Sequence, residues 1–477
     1  MLGRSAIRGH GGIRGHRTVH VALAATLVGL CAAVGTPSAA ASGPPPIDAG
    51  ALPPNSKPSP PMPAEPATAC ASTQSTTSPA TPAAQQFLGV ENAWRFSRGA
   101  GQKVAVIDTG VAQHARLPGL EGGGDFVSPG DGTTDCDAHG TAVAGLIAGQ
   151  PSGSDGFAGM APDAQIMSIR QTSETYRYKG TQPNPDDPKN GGGVGRVDTL
   201  ASAVRHAADE GATVINISEV ACKAGSSLSD GALGAAVQYA AEQRDAVIVA
   251  SSGNNDASDC KSGNPGIDPM NPAADLWDKI NTTVTPAWYD QYVLSVGSVN
   301  LNGEASPFTV AGPWVGVAAP GEQIVSLDPN GNGLMNGTIG QNGPQQLAGT
   351  SFAAPYVSGL AALVRSRYPG LSAAEVIKRL EATAHPPAEG WNPSLGFGVI
   401  DPVAALTNEV DPAMALDKKP TTTAGTARQL PVPAAPPAPD NTARNIALIG
   451  TGVVAMLLVL GYLASFPIRR RLGVRED

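Results

Sequence analysis

Short apolar runs alternate with helical stretches along the middle of the chain, and this alternation constrains the fold most strongly. The runs are rich in valine and isoleucine, as strands buried on both faces are. Strands are predicted at 103–107, 165–169, 213–217, 246–250 and 292–299, and helices at 139–149, 197–210, 229–244 and 351–368. The pattern predicts an α/β fold in which a mostly parallel sheet lies between two helical layers. Long polar loops are predicted at 172–196, 256–288 and 327–346.

A serine stands at the start of the last of these helices. The segment 349–355, Gly-Thr-Ser-Phe-Ala-Ala-Pro, leads from a small-residue turn into an apolar, alanine-rich stretch. A helix N-terminus has free N–H groups and a dipole that favour developing negative charge. This position suits Ser351 as a nucleophile.

An aspartate and a histidine occur upstream in comparable positions. Asp108 ends the apolar run 104–107, and the carboxyl end of a parallel strand is where α/β proteins build their sites. His139 opens a second small-residue helix. Serine is a poor nucleophile at neutral pH, so a histidine that takes its proton and an acid that orients the histidine would complete the chemistry.

A candidate for stabilising an oxyanion follows another buried strand. The run 247–250 ends in Ser-Ser-Gly-Asn, which presents Asn254 in a tight turn. Its side-chain amide, together with the backbone N–H of Ser351, would supply two donors to a tetrahedral intermediate.

These four segments, in this order, resemble the signature blocks of the subtilisin-like serine proteases (subtilases). The blocks are Asp-Thr-Gly at 108–110, His-Gly-Thr at 139–141, Ser-Gly-Asn at 252–254 and Gly-Thr-Ser at 349–351. The resemblance covers residues 85–408 and implies a three-layer α/β/α sandwich. It also implies a catalytic triad of Asp108, His139 and Ser351, with Asn254 as the oxyanion residue.

Each of these residues also has a structural interpretation when taken alone. Asp108 could cap a turn or a helix, His139 could be an ordinary surface or core histidine, and Asn254 could serve a loop. The joint occurrence of all four favours the catalytic interpretation.

The resemblance also implies a substrate-binding set. In subtilases the segment that matches Ser218 onward pairs with the substrate backbone, and the one that matches 251–253 lines the pocket before the cleaved bond. The set is Ser218, Glu219, Ser251, Ser252 and Gly253. Family members favour glycine after the serine, whereas this chain has Glu219 and Val220. The carboxylate of Glu219 would either select a cation or point to solvent.

Four cysteines remain beyond Cys31 and allow three disulfide connectivities. Cys222 and Cys260 bracket the strand and turn that lead to Asn254, so a local pair is predicted there. This leaves Cys70 with Cys136, a pair that would clamp the N-terminal extension beside His139. Free thiols or a metal site are the alternative, but no Cys-x-x-Cys spacing supports them.

The two ends of the chain predict export and membrane anchoring. Residues 1–41 combine four arginines, an apolar stretch and an Ala-Ala-Ala cleavage site, as a signal peptide does, although an uncleaved anchor is the alternative. Residues 445–466 are apolar and long enough to span a ~30 Å hydrocarbon core. Arginines at 469–471 would keep the tail 467–477 cytoplasmic and the larger domain on the opposite side of a cell membrane.

Proline-rich segments flank the predicted catalytic domain. Residues 42–84 form an extension that looks too short and proline-rich for a folded inhibitory propeptide, and 409–444 form a stalk. This layout, and the stretches 108–117 and 214–220, resemble the mycosins, the membrane-anchored subtilases of type VII secretion systems. The resemblance implies two partners, the secretion membrane complex and the proteins it exports.

The sequence therefore predicts a membrane-anchored serine endopeptidase that processes exported proteins. The alternatives are a mainly structural subunit of the secretion complex and a general degradative surface protease. No cofactor and no metal is predicted, since no clear calcium site is present. The net charge of −9 and the lack of a basic patch argue against nucleic acid as a partner.

Overall fold

A computed structural model describes residues 43–44, 46–180, 193–225, 228–255, 260–272, 274–340, 343–411, 414–418 and 442–471. The predicted signal peptide, most of the predicted stalk and the last six residues lie outside this part of the chain. The chain divides into two units at residues 422 and 423, and each is described by itself.

The first unit is built on a central sheet of seven parallel strands in the order β12-β11-β9-β7-β3-β5-β4. These strands are β3 (Lys103–Asp108), β4 (Leu120–Asp125), β5 (Gln165–Arg170), β7 (Val214–Ile217), β9 (Val247–Ser251), β11 (Val293–Val299) and β12 (Val315–Pro320). The five predicted strands all belong to this sheet. The strands β4 and β12 at its two edges were not predicted.

Helices cover both faces of the sheet. The helices of the first unit are α1 (Ala83–Leu88), α2 (Val90–Ala93), α3 (His139–Ala148), α4 (Val197–Asp209), α5 (Gly231–Glu242), α6 (Thr350–Arg367), α7 (Ala373–Ala382) and α8 (Pro402–Thr407). Along β3, Val104 and Val106 pack with α3 and α6, whereas Ala105 and Ile107 pack with α4 and α5. This alternation buries both faces and produces the predicted three-layer sandwich.

Smaller strands pair remote segments of the chain outside the central sheet. These are β1 (Ala64–Pro66), β2 (Thr73–Thr76), β6 (Tyr176–Tyr178), β8 (Ala221–Ala224), β10 (Thr282–Thr285), β13 (Ser326–Leu327), β14 (Leu334–Gly340) and β15 (Gly343–Gln346). The prediction of a loop at 327–346 is wrong, because most of this segment forms a hairpin that pairs with β13 and β2. The other two predicted loops contain β6 and β10. Their strands lack an apolar alternation, so no local pattern marked them.

The N-terminal extension lies along the first unit rather than forming a domain of its own. Its strand β1 pairs with β6, and β2 pairs with β14. The hydroxyl groups of Thr73 and Ser75 donate to the carboxylate of Asp328. The structure contains both predicted disulfides, Cys70–Cys136 and Cys222–Cys260. The first of them joins the extension to the turn that precedes His139.

The described part of the second unit is one helix, α9 (Thr442–Arg471). Its segment Ala443–Arg469 contains an 18-residue window with a mean hydropathy of 2.4 and is long and apolar enough to cross a membrane. The predicted span 445–466 lies within it.

We predict that removing the Cys70–Cys136 disulfide lowers the thermal stability of the first unit. The bond closes a loop of 66 residues, and chain entropy assigns such a cross-link about 4 kcal/mol. The double variant Cys70→Ser/Cys136→Ser should therefore unfold at a lower Tm in calorimetry, while mass spectrometry verifies that Cys222–Cys260 stays intact. An unchanged Tm would show that strand pairing alone restrains the extension.

Candidate active site

The predicted site residues converge on one edge of the parallel sheet. The strands β9, β7 and β3 are neighbours, and their carboxyl ends lead to Ser251, Ser218 and Asp108 respectively. The helices α3 and α6 begin at this same edge with His139 and Thr350. Because parallel strands all end on one side, residues from distant parts of the chain meet here.

Asp108 orients the imidazole of His139. The ring Nδ1 donates to Asp108 Oδ1 across 2.7 Å, and the same oxygen accepts the Thr109 N–H at 2.7 Å. Asp108 is fully buried, so its charge acts on the ring with little screening. Burial lowers the pKa of His139, but the charge and hydrogen bond of Asp108, followed by the charges of Glu219 and Asp135, outweigh burial and raise that pKa to about 10. The arrangement fixes the Nδ1–H tautomer and stabilises the imidazolium.

Asp135 holds the turn that presents His139. Its carboxylate accepts the backbone N–H groups of Ala138 at 2.9 Å and Thr141 at 2.8 Å. Ala138 has a positive φ of 66°, a conformation that a non-glycine residue rarely adopts without such support. The Thr109 hydroxyl links the two segments, because it donates to Asp135 and accepts the Gly140 N–H. Asp135 therefore fixes the start of α3.

Ser351 is the second residue of α6 and lies next to the histidine. The ring of Phe352 packs against His139 with 5.0 Å between the ring centroids. The structure gives no hydrogen bond between Ser351 Oγ and His139, both of which are in the described part of the chain. In free enzymes the catalytic hydrogen bonds are often long and tighten when substrate binds.

Asn254 faces Ser351 across Gly349. Its side-chain oxygen accepts the N–H of Thr350 at 2.9 Å and the Thr350 hydroxyl at 3.0 Å, which leaves the amide NH₂ free to donate. A Cβ at Gly349 would lie 3.1 Å from Ser351 Oγ and 3.2 Å from Asn254 Nδ2. The space between the hydroxyl and the amide is therefore open only because residue 349 is glycine. An oxyanion formed at Ser351 would need this space.

A buried chain of hydrogen bonds ties α6 to the sheet. The Ser358 hydroxyl donates to Asn216 Oδ1 at 2.8 Å, and Asn216 Nδ2 donates to Ser218 Oγ at 2.9 Å. The Ser218 hydroxyl then donates to the carbonyl of Ser351 at 2.8 Å. Sequence reasoning assigned no role to Asn216 or Ser358. The signal for Asn216 was a lone amide within the otherwise apolar strand Val214–Ile217.

The predicted substrate-binding residues lie at the same edge. The Ser251 hydroxyl donates to the carbonyl of Ser218 at 3.1 Å, which joins β9 to the segment after β7. Ser252 is buried, and its hydroxyl has no partner in the part of the chain that the structure describes. Gly253 has a φ of 91°. Glu219 lies against His139, with Oε1 3.4 Å from His139 Nδ1.

Metal-ligating side chains also meet at this site. Among the described residues, Asp108, His139 and Glu219 bring three possible ligand atoms within 4.8 Å of one another. His139 Nδ1 is already hydrogen-bonded to Asp108, so the grouping is accounted for by acid–base chemistry.

Comparison with known proteins decides the family. Residues 99–399 match the Subtilase family. Mycosin-4 of Mycobacterium tuberculosis is 46% identical over 471 residues, which cover 96% of this chain and 97% of that protein. The chain belongs to the mycosins, within the subtilase family. It is therefore a subtilisin-like serine endopeptidase.

Solved structures of related proteins share this fold. MycP1 from the ESX-1 type VII secretion system superimposes with a TM-score of 0.72 at 47% identity, covering 78% of this chain and 98% of that one. A chain of the intact ESX-5 inner membrane complex superimposes with a TM-score of 0.73 at 42% identity, covering 89% and 100%.

We predict that Gly349→Ala abolishes most of the peptidase activity. The added methyl group would lie between Ser351 Oγ and Asn254 Nδ2, and losing one oxyanion donor typically costs about a hundredfold or more in kcat. Peptide hydrolysis measures the effect. Gly370→Ala is a matched control, since a Cβ at that position meets nothing within 4 Å. A folded Gly349→Ala protein with near-normal kcat would contradict the assignment of this space to the oxyanion.

We predict that Ser358→Ala destabilises the protein, because it leaves Asn216 Oδ1 buried without its donor. Such a loss costs about 1–3 kcal/mol, and a looser α6 should also lower kcat. Denaturant unfolding and peptide hydrolysis measure the two effects. Ser295→Ala is the control, because Ser295 is equally buried and its hydroxyl has no partner among the described residues. Equal unfolding free energies for both variants would contradict the role of the hydrogen-bond chain.

Proposed function

We propose that this endopeptidase cleaves proteins exported by a type VII secretion system, with Asp108, His139 and Ser351 as its triad. The observation that carries the proposal is the short Asp108–His139 hydrogen bond beside the helix start that bears Ser351. The amide of Asn254, on the other side of Gly349, adds the oxyanion donor.

The geometry supports a two-step mechanism. Ser351 Oγ attacks the carbonyl carbon of the scissile peptide while His139 Nε2 takes the hydroxyl proton. The oxyanion accepts hydrogen bonds from Asn254 Nδ2 and from the Ser351 N–H, which is free at the helix start. His139 then gives its proton to the leaving amine, and the acyl-enzyme remains. Water activated by His139 hydrolyses the acyl-enzyme, while Asp108 stabilises the imidazolium in both steps.

The substrate groove in this proposal runs along the carboxyl ends of β7 and β9. Ser218 and Glu219 flank one side of the groove, and Ser251, Ser252 and Gly253 flank the other. The hydrogen bond from Ser251 to the Ser218 carbonyl holds the two segments at a fixed separation. The buried, unpaired hydroxyl of Ser252 is a further polar group at the end of β9.

The proposed domain organisation places the enzyme on a membrane anchor. Residues 85–408 form the peptidase domain, 409–444 the stalk, 445–466 the membrane span and 467–477 the cytoplasmic tail, after a signal peptide at 1–41 and an extension at 42–84. The arginines at 469–471 support a cytoplasmic tail. The two disulfides support an oxidising compartment on the other side of the cell membrane.

The proposed partners are the exported substrates and the membrane complex of the secretion system. The support comes from relatives, since MycP1 belongs to the ESX-1 type VII secretion system and another related chain is part of the ESX-5 inner membrane complex. That second relative favours the alternative function, in which the protein mainly stabilises the complex and proteolysis is secondary.

We predict that Ser351→Ala abolishes cleavage and leaves the fold intact, because the nucleophile is lost and α6 keeps its remaining contacts. The experiment compares new N-termini among the exported proteins of cells with wild-type or Ser351→Ala enzyme, and it also measures assembly of the membrane complex. Ser366→Ala, near the far end of the same helix, is the control.

The possible outcomes of the Ser351→Ala experiment separate the processing function from the structural one. Secretion that continues with one or a few substrates unprocessed supports the processing function alongside a structural one. An unchanged set of N-termini would contradict the processing function and leave the structural one.

A further inference from the structure

Glu219 contacts the catalytic histidine, although it lies on none of the three elements that carry the triad, β3, α3 and α6. It follows β7 by two residues, and its Oε1 lies 3.4 Å from His139 Nδ1. The same nitrogen lies 2.7 Å from Asp108 Oδ1. The Glu219 side chain retains 37% of its exposure and the His139 side chain 21%, so the contact is at the open side of the site.

Among the described residues, the groups outside this pair that act on it most strongly are carboxylates. Asp108, Glu219 and Asp135 act on His139, and each favours its charged form. Glu219 experiences Asp108 and His139 together with two neighbours from the turns around Cys136 and β6, Asp137 and Glu174. Burial raises the pKa of Glu219, the His139 charge lowers it, and the surrounding carboxylates raise it again. The protonation of His139 and that of Glu219 therefore depend on each other.

We propose that Glu219 is a positioning residue that holds His139 as the imidazolium in the free enzyme, as a second carboxylate partner besides Asp108. This inference rests on the proposed triad. An imidazolium has no free nitrogen lone pair and does not accept the proton of Ser351. The geometry that supports this proposal is the contact of His139 Nδ1 with two carboxylates.

As a consequence, the peptidase activity stays low until a substrate occupies the cleft. A substrate that packs against His139 must displace the Glu219 carboxylate or neutralise it. Either event removes one of the two contacts that favour the imidazolium and leaves the triad arrangement with Asp108 alone. The restraint belongs to the free enzyme, so it acts on kcat/KM, which reports free-enzyme pKa values, more than on kcat.

The test measures the protonation of His139 directly in the full chain. Diethyl pyrocarbonate modifies neutral imidazole, and mass spectrometry of the residue 139 peptide gives its rate at each pH. An opposite charge within about 4–6 Å raises a histidine pKa by one unit or more. In Glu219→Gln the midpoint for His139 should therefore fall by about one pH unit. At pH values below both midpoints the variant should react about tenfold faster than wild type.

The peptidase assay gives a second, independent measurement. The acid limb of kcat/KM in Glu219→Gln should move to lower pH by the same amount, which makes the variant more active than wild type at low pH. The acid limb of the kcat profile should move less. A merely damaged cleft would lower activity at every pH and would leave the modification midpoint unchanged.

Glu174→Gln is the matched control, because Glu174 is an exposed carboxylate whose charge acts on Glu219 and is not among the groups that act most strongly on His139. In Glu174→Gln the midpoint for His139 modification should stay close to that of wild type. If Glu219→Gln does not fold, Glu219→Asp carries the same test, since the shorter side chain withdraws the carboxylate and should also lower the midpoint. The proposal is overturned if the His139 midpoint in the Glu219 variant stays the same as in wild type or rises. Absence of peptide hydrolysis at any pH would instead overturn the proposed function, and the modification assay would still decide this inference.

Discussion

The site depends on the burial of both faces of the parallel sheet. Because Val104, Val106, Ala105 and Ile107 pack into two separate cores, β3 has a fixed register and Asp108 emerges at a fixed point of the sheet edge. The helices α3 and α6 pack on one of these cores and begin at that same edge. Geometry at the site is thus set by apolar packing beneath it, and the polar contacts refine it.

The sequence predicted the site residues that local pattern marks, and it could not predict their supports. Asp108 ends an apolar run and Ser351 starts one, so each has a signal within a few neighbours. The residues that support the site are far apart in the sequence. Ser358, for example, donates a hydrogen bond to Asn216 across 142 positions. No spacing rule identifies such a partner. The N-terminal strand β2 was not predicted for the same reason, since its partner β14 lies more than 250 residues away.

Glu219 differs from the other residues of the predicted substrate-binding set, because it contacts His139. The resemblance to subtilases assigns its position to substrate binding, because the surrounding segment pairs with substrate in that family. The contact with His139 adds a chemical consequence that depends on a carboxylate at this one position. In the proposed mechanism the cleft and the base are therefore coupled. The Cys70–Cys136 disulfide next to the turn held by Asp135 places a covalent restraint beside the same histidine.

The central claim is that Ser351 is a nucleophile activated by His139 and Asp108. It is tested most directly by treating the full-length protein with a fluorophosphonate and locating the adduct by mass spectrometry. The account predicts one adduct, on Ser351, and its loss or strong slowing in His139→Ala. No adduct on Ser351, or an adduct that forms equally fast without His139, would contradict it.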